Sequence, residues 1–334
     1  MRVMVTGGGG FLGQALCREL RARNYQVSSI ARSEYAALTE LGVKQYRADL
    51  ADFAALSEAL REHDAVFHVA AKAGAWGRFQ DYFDANVAGT RNLIAACRMN
   101  KVRTLVYTST PSVAHQGHVA VEGLSAEQAP LARRYRAVYP ATKAVAEAAV
   151  LEANDAELAT VALRPRLIWG PGDNHLLPRL LERAKADKLR FIGDGGNRID
   201  TTYIDNAVSA HLAAFDHLHD QIDARCAGKA YFISNGEPKP IADVINSLLR
   251  AAGGPMVTKT VPFRPAYWLG LACELIWRWL PPDREPPMTR FIAEQLVTPH
   301  WYDIGPARHD FGYQPKVMFI EGIKRLQESL RGKS

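Results

Sequence analysis

The run Thr6-Gly7-Gly8-Gly9-Gly10-Phe11-Leu12-Gly13, directly after Val3-Met4-Val5, constrains the fold more than any other feature of the sequence. The apolar residues before it predict a short strand, and the segment from Leu12 to Arg23 predicts a helix. Glycines let the backbone approach a pyrophosphate closely, and a helix N-terminus offers free N–H groups at the positive end of its dipole. A tight turn is the alternative, but glycines spaced Gly-x-Gly-x-x-Gly between a strand and a helix predict a dinucleotide site.

Short apolar segments continue to alternate with alanine-rich helical segments through the first half of the chain. The further predicted strands are Gln26 to Ile30, Ala65 to Ala70, Thr104 to Thr108 and Thr160 to Leu163. This alternation predicts an α/β fold, a doubly wound parallel sheet of the Rossmann type. After Leu163, prolines and glycines interrupt the pattern. We therefore expect a dinucleotide-binding domain over 1–165 and a smaller, mainly substrate-binding lobe over 166–334, with segments that return to the sheet.

Composition excludes several classes of protein. With 48% hydrophobic and 23% charged residues among 334, the chain is not disordered, collagen-like or coiled-coil. Its four cysteines are scattered without a CxxC pair, so we expect no metal site, no disulfide framework and a cytoplasmic location. We expect no signal peptide, because only three apolar residues separate Met1-Arg2 from the glycines. The net charge of +6 permits an anionic partner, but no basic run with interleaved aromatics points to nucleic acid.

The end of the second predicted strand bears on the cofactor. An NAD site usually carries a carboxylate there, which accepts a hydrogen bond from the ribose 2′-OH. Here Ser29-Ile30 is followed by Ala31-Arg32-Ser33, and no carboxylate appears before Glu34. Arg32 offers a guanidinium and Ser33 a hydroxyl to a 2′-phosphate, which favours NADP(H). The alternative is that Arg32 is a solvated surface residue.

Tyr139-Pro-Ala-Thr-Lys143 places a tyrosine and a lysine four residues apart on one face of a predicted helix. A tyrosine with a pKa near 10 is a poor acid or base at neutral pH. We expect the neighbouring ammonium and an oxidised nicotinamide to lower the pKa of Tyr139, so that it can exchange a proton with a carbonyl or alcohol oxygen. Such spacing also arises by chance in surface pairs.

A hydroxyl cluster lies at the end of the predicted strand Thr104 to Thr108. Its presence argues against a chance spacing of Tyr139 and Lys143. Thr108-Ser109-Thr110 lies about thirty residues before Tyr139, where the strand reaches its carboxyl end. A hydroxyl there can hydrogen-bond a substrate oxygen beside Tyr139. The alternative for Thr110 is a turn or capping residue.

Taken together, these motifs resemble the extended short-chain dehydrogenases/reductases over nearly the whole chain. The landmarks are the Gly7–Gly13 loop, Asp49-Leu50, His68-Val-Ala-Ala71, Asn86-Val-x-Gly-Thr90, Thr108-Ser109-Thr110, Tyr139-x-x-x-Lys143, Leu163–Asp173 and Tyr203-Ile-Asp-Asn206. The resemblance implies that Thr110 and Tyr139 are catalytic, that Lys143 is catalytic and holds the nicotinamide ribose, and that Asp49 contacts adenine. The implied NADP(H)-binding set is Gly7, Gly10, Phe11, Leu12, Gly13, Arg32, Ser33, Asp49, Leu50, Ala70, Ala71, Tyr139, Lys143 and Pro165.

Within that family the chain is similar to the 3β-hydroxysteroid dehydrogenase branch. Phe67–Gly77, Leu163–Asp173 and Thr298-Pro-His-Trp-Tyr302 resemble more closely the bacterial 2-alkyl-3-oxoalkanoate reductases of long-chain olefin biosynthesis. Those enzymes use NADPH to reduce the ketone of an α-alkylated β-keto acid. The resemblance therefore implies a lipid-like substrate; it also allows a homodimer and a complex with other olefin-pathway enzymes. The motif at 298–302 has no chemical role that the sequence reveals.

Three alternatives stay open. A 3β-hydroxysteroid or sterol dehydrogenase would share the chemistry with a rigid substrate. A sugar-nucleotide epimerase or reductase commonly has an arginine where Ile199 stands, beside Arg198, and a polar side chain at Leu167. A non-catalytic protein on this fold typically loses the tyrosine and lysine.

A β-keto acid reductase also needs apolar walls and a cation for the carboxylate. The segment from Pro265 to Leu280 contains Glu274 and Arg278 and is too short and charged to span a bilayer. It predicts either a buried or substrate-covering helix, or an apolar lid or membrane-touching helix that admits a lipid. Candidate wall residues are Trp268, Trp277, Trp279 and Phe291. Arg166 and Lys72 follow predicted strand ends and are candidate cations, each with an ordinary ion pair as the alternative.

Overall fold

The computed structural model describes residues 1–220, 224–281 and 284–332. Its strands are β1 (Arg2–Thr6), β2 (Gln26–Ala31), β3 (Lys44–Arg47), β4 (Ala65–His68), β5 (Thr104–Thr108), β6 (Val121–Leu124), β7 (Ala159–Pro165), β8 (Ile168–Trp169), β9 (Phe191–Ile192), β10 (Arg198–Ile199), β11 (Thr202–Tyr203), β12 (Lys229–Ile233), β13 (Lys239–Pro240), β14 (Thr260–Val261) and β15 (His300–Tyr302).

The helices are α1 (Phe11–Ala22), α2 (Ala36–Glu40), α3 (Phe53–Ala59), α4 (Phe79–Tyr82), α5 (Gly89–Met99), α6 (Val138–Glu152), α7 (Leu176–Lys185), α8 (Ile204–Asp220), α9 (Ile241–Ala251), α10 (Phe263–Trp277), α11 (Arg290–Val297), α12 (Gly305–Phe311) and α13 (Phe319–Arg331). A π-helical turn, Phe83–Ala88, joins α4 to α5, and a 3₁₀ turn, Pro111–Ala114, follows β5.

Seven parallel strands form the main sheet, in the order β12-β7-β5-β4-β1-β2-β3. The chain builds outward from β1 in one direction and then from β4 in the other, so the strand order reverses between β1 and β4. The predicted doubly wound parallel sheet is confirmed. The division at residue 165 stays a prediction, although β12, from beyond it, joins the sheet beside β7.

Residues of β1 alternate between two cores. Val3 and Val5 pack on the side covered by α1 and α8, and Met4 packs on the side covered by α3, α5 and α6. On α1 the buried residues Leu12, Leu16 and Leu20 recur every fourth position, which places them on one face of the helix. Packing on both faces holds the strands in place and so positions the carboxyl edge of the sheet, where ligands bind in this fold.

Two strand ends differ from the sequence prediction by two residues, and the other ends of the predicted strands in the main sheet differ by at most one. β4 ends at His68 rather than at Ala70, because the backbone N–H groups of Val69 and Ala70 donate to the Thr6 hydroxyl and leave the ladder. β7 extends to Pro165 at its carboxyl end, where proline is tolerated since the strand is finishing.

Distant segments assemble the smaller lobe. A four-stranded sheet in the order β13-β10-β15-β6 pairs His300 with both Ile199 and Val121. The motif at 298–302 is therefore the strand that holds this small sheet together. A hydrogen bond of 2.7 Å between His115 Nε2 and the Tyr302 hydroxyl ties this strand to the turn after β5.

Helix α10 corrects the expectation of a buried helix. Its buried residues are small, namely Ala266, Gly270 and Cys273, and its exposed residues include large apolar ones: Trp268, Leu269, Leu275 and Ile276. Trp279 beyond it is 90% exposed, so neither Trp268 nor Trp279 forms an interior wall. Within the described residues, no helix is long and apolar enough to cross a bilayer.

Candidate active site

The glycine loop lies at the point where the strand order reverses. Gly7 adopts φ +68°, and a Cβ there would lie 2.9 Å from Cα of Ala70, which follows β4. A Cβ on Gly13 would lie 2.2 Å from the carbonyl oxygen of Gly7, so only glycine lets α1 start so close to the loop. Among the described residues no side chain caps the start of α1 at Gly10, which leaves the first-turn N–H groups, including those of Phe11 and Leu12, to a ligand. This cradle fits the pyrophosphate of a dinucleotide.

Buried hydrogen bonds hold the loop against β4. The Thr90 hydroxyl donates to the Asn86 carbonyl, so it accepts from Nε2–H of His68 at 2.9 Å. Nδ1 of His68 then accepts from the Thr6 hydroxyl at 2.7 Å. Burial, followed by the charge of Lys143, lowers the pKa of His68 to about 3, which keeps the ring neutral.

The predicted adenosine-side residues lie at the ends of β2 and β3. Arg32 and Ser33 are exposed, and neither makes a side-chain hydrogen bond or ion pair within the described residues. Asp49 is exposed, and its carboxylate accepts from the backbone N–H of Ala51 at 2.9 Å. Leu50 packs against Gly89, where a Cβ would lie 2.9 Å from the leucine Cβ. Ala71 is exposed beyond β4, next to the alanine that meets the glycine loop.

Tyr139 and Lys143 lie one turn apart at the start of α6, as predicted. The Lys143 side chain is 2% exposed; its Nζ donates to the Thr108 carbonyl at 2.6 Å and lies 4.0 Å from the centre of the Tyr107 ring. Burial lowers the pKa of Lys143 to about 7, opposed by the charge of Glu147. The ammonium is thus held at the end of β5, beside the hydroxyl cluster.

Thr110 has the capping role of its alternative interpretation, while its hydrogen bond to a substrate oxygen stays a prediction. Its hydroxyl accepts from the backbone N–H of Ser112 and caps the 3₁₀ turn, and it is also a hydrogen-bond partner of Tyr139. The structure therefore brings the three predicted catalytic side chains together at the carboxyl end of β5.

The direction of the pKa shift at Tyr139 differs from the expectation. Burial raises the pKa of Tyr139, and the hydrogen bond with Thr110 opposes this. Burial of the phenol is the dominant cause, and Lys143, whose Nζ donates to the Thr108 carbonyl and lies over the Tyr107 ring, does not offset it. Tyr139 is accordingly held as a protonated phenol, the form that donates to a ketone oxygen.

Asn86, part of the motif Asn86-Val-x-Gly-Thr90, is a positioning residue whose role the sequence did not reveal. It lies in the π-helical turn, a feature often found at functional sites. Its amide pairs with the backbone of Lys72 through bonds of 2.8 and 3.0 Å, and its Nδ2 donates to Thr142 Oγ1 at 3.1 Å. It thereby ties the loop after β4 to the helix that carries Tyr139.

A buried ion pair also fixes α6 and was not predicted. Arg164 on β7 binds Glu147 through two parallel bonds of 3.0 and 2.6 Å, and both side chains are at most 3% exposed. The sequence signal is a lone arginine in an apolar strand and a glutamate in the middle of an alanine-rich helix. The pair locks the helix against the strand that ends in Pro165.

The two candidate cations for a carboxylate differ in their surroundings. Lys72 forms an ion pair with Asp81 at 3.2 Å, so it has the ordinary ion-pair role that was the alternative to binding a substrate carboxylate. Arg166 is half-buried, its Nε has no hydrogen-bond partner in the described part of the chain, and it forms no ion pair there. Its charge lowers the pKa of His115 and His300, after burial. Of these two candidates, Arg166 is the one without an ion-pair partner among the described residues, although its charge also acts on the buried Asp200 carboxylate.

The position where sugar-nucleotide enzymes commonly carry an arginine is occupied differently here. Ile199 is 1% exposed and packs in the core, while Arg198 donates to the Pro238 carbonyl at 2.9 Å. Leu167 is half-buried and apolar.

Comparisons with known proteins agree with this geometry. The 3-beta hydroxysteroid dehydrogenase/isomerase family model matches residues 4–263. A 2-alkyl-3-oxoalkanoate reductase from Stenotrophomonas maltophilia is 57% identical over 98% of this chain and 99% of its own. A second, from Shewanella oneidensis, is 46% identical over 98% and 85%. UDP-glucose 4-epimerase from Thermus thermophilus, solved with NAD, superposes over all of both chains with a TM-score of 0.72 and 26% identity. The chain therefore belongs to the 3-beta hydroxysteroid dehydrogenase/isomerase family of extended short-chain dehydrogenases/reductases and is an NAD(P)-dependent oxidoreductase.

Proposed function

We propose that this protein uses NADPH to reduce the ketone of a long-chain 2-alkyl-3-oxoalkanoic acid to the 2-alkyl-3-hydroxy acid. The observation that carries the proposal is the meeting of Tyr139, Thr110 and Lys143 at the carboxyl end of β5. Two relatives named 2-alkyl-3-oxoalkanoate reductase, matched over nearly the whole chain, support the substrate class.

The side chains act on the ketone oxygen. The Tyr139 hydroxyl donates its proton to that oxygen, and the Thr110 hydroxyl donates a hydrogen bond to it as negative charge develops. Lys143 holds the nicotinamide ribose and, as an ammonium, supports the phenolate that remains on Tyr139. The bound cofactor supplies the hydride.

NADP(H) is the cofactor we propose. Arg32, which has no ion-pair partner within the described ranges, follows the end of β2 with Ser33 beside it, where a 2′-phosphate would lie. A guanidinium binds phosphate oxygens in a bidentate manner, and a carboxylate that would repel the phosphate is absent before Glu34.

Arg166 is the proposed anchor for the substrate carboxylate. It follows β7 at the ligand-binding edge, and its Nε is a buried donor without a partner in the described chain. The product, a β-hydroxy acid with two alkyl chains, suits a place in long-chain olefin biosynthesis in the cytoplasm. We also propose that the protein can form a homodimer and can associate with other enzymes of olefin biosynthesis.

The second candidate is a 3β-hydroxysteroid or sterol dehydrogenase, favoured by the family description. NADPH oxidation should be measured against a long 2-alkyl-3-oxoalkanoate, a 3-ketosteroid and a UDP-4-ketosugar. We expect the β-keto acid to have the highest kcat/KM, and Arg166→Ala to harm it more than a matching neutral ketone. Faster reduction of the 3-ketosteroid would replace the proposal with the sterol alternative.

A further inference from the structure

A cleft of about 690 Å³ borders the catalytic helix. One wall is the loop 75–79, a second is the start of α6, and the third is the pair α10 and α11. Val138 lines the cleft and immediately precedes Tyr139, so the cleft borders the start of the helix that carries the proposed proton donor. Its volume is within the range of about 300–1,000 Å³ typical of small-molecule sites.

The third wall is a fixed structure. A Cβ on Gly270 of α10 would lie 2.7 Å from the backbone nitrogen of Arg290, so the helix packs directly on the start of α11. Glu274 accepts from the backbone N–H of Arg290 and from its guanidinium, each at 2.7 Å. α10 is therefore held in place while its outer face is exposed.

The cleft offers apolar contacts and few free polar groups. Its apolar lining includes Trp76, Phe79, Val138, Leu271, Leu275 and Phe291. Three of its charged side chains already have partners, since Glu274 pairs with Arg290 within the lining and Arg136 pairs with Glu294. Arg278 stands at the exposed rim. A polar ligand would have to compete for these groups, whereas an alkyl chain would need only the apolar surface.

We propose that this cleft holds one alkyl chain of the substrate, beginning at Val138 and running along α10 past Leu271. The proposal rests on the proposed function for the identity of the chain. The cleft sets the chain-length preference, because each buried methylene raises affinity by up to about fourfold.

A binding experiment that needs no turnover tests the cleft. Saturated fatty acids of increasing length, kept below their micelle-forming concentrations, are titrated calorimetrically into the protein. We expect affinity to rise with length in the wild type, and Leu271→Trp, which fills the cleft, to weaken the longest acid by about tenfold or more. Leu269→Trp is the matched control, because Leu269 lies on the same helix but is 54% exposed and outside the cleft lining. Equal weakening by both variants, or affinity independent of length, would overturn the proposal.

Steady-state kinetics distinguish a failure of the cleft proposal from a failure of the proposed function. With a homologous series of 2-alkyl-3-oxoalkanoates, Leu271→Trp should lower kcat/KM at least about tenfold more for the longest substrate than for the shortest. Leu271→Ala, which widens the cleft and adds no bulk, should move the preferred length upward. If β-keto acids are reduced but neither variant changes the length dependence, the cleft proposal fails and the proposed function stands. If fatty acids bind as expected but no β-keto acid is reduced, the proposed function fails and the cleft stands as an alkyl-chain site.

Discussion

At the scale of single residues, Arg32 makes the cofactor proposal testable. A charge-assisted hydrogen bond contributes about 1.5–3 kcal/mol, so Arg32→Ala should reduce the preference for NADPH over NADH by about tenfold or more. The kinetic constants with NADH serve as the internal control and should change little, because NADH has no 2′-phosphate. Wild-type protein that uses NADH as well as NADPH would contradict this interpretation of β2.

Lys143 predicts a pH dependence of stability. Burial lowers its pKa to about 7, while in the unfolded chain the pKa returns to about 10.4. Between these values the unfolded chain binds more protons, so the free energy of unfolding due to Lys143 rises with pH, by up to about 1.4 kcal/mol per unit. Lys143→Met lacks this contribution.

The measurement is the unfolding free energy of the wild type minus that of Lys143→Met, taken without cofactor from pH 6 to 9. We expect the difference to be constant below about pH 7 and to increase above it. A difference that does not change with pH would show that the lysine is charged throughout.

At the scale of elements, the ion pair between Glu147 and Arg164 should control how firmly α6 is held. Glu147→Gln leaves a buried guanidinium without its counter-charge, which should lower the free energy of unfolding by about 3–5 kcal/mol. Glu152→Gln on the exposed face of α6 is the matched control and should change it by less than about 0.5 kcal/mol. The free energy of unfolding of both variants is measured by urea denaturation. If both variants lose a similarly small amount of stability, the ion pair does not hold α6 in place.

The elements that sequence could predict are those defined by local patterns. The strand, glycine run and helix around Gly7–Gly13 follow from contiguous residues, and so does the placement of Tyr139 and Lys143 on one helix face. The π-helical turn at Phe83–Ala88 could not be predicted, because an i→i+5 bond has no residue signature. Periodicity likewise placed Pro265 to Leu280 in a helix without showing which face is covered, since that depends on Gly270 packing against residues far along the chain.

At the scale of the whole molecule, long-range contacts decide what local patterns leave open. The small sheet joins β6, β10, β13 and β15, which come from distant parts of the chain. The hydrogen bond between Trp301 of β15 and Glu122 of β6 links residues that are 179 positions apart. No local signal at 298–302 reveals that partner. Conversely, the reversal of strand order between β1 and β4 follows from alternating strands and helices, and it sets the glycine loop beside Ala70.

The central claim is that Tyr139 delivers the proton to a ketone reduced by NADPH. Its most direct test is the single-turnover rate of NADPH oxidation by a 2-alkyl-3-oxoalkanoate in the wild type and in Tyr139→Phe, with NADPH affinity measured in parallel. General acid catalysis contributes about 10²–10⁴-fold, so the variant should lose at least about a hundredfold in rate while binding NADPH normally. A Tyr139→Phe protein that turns over at the wild-type rate would contradict the account.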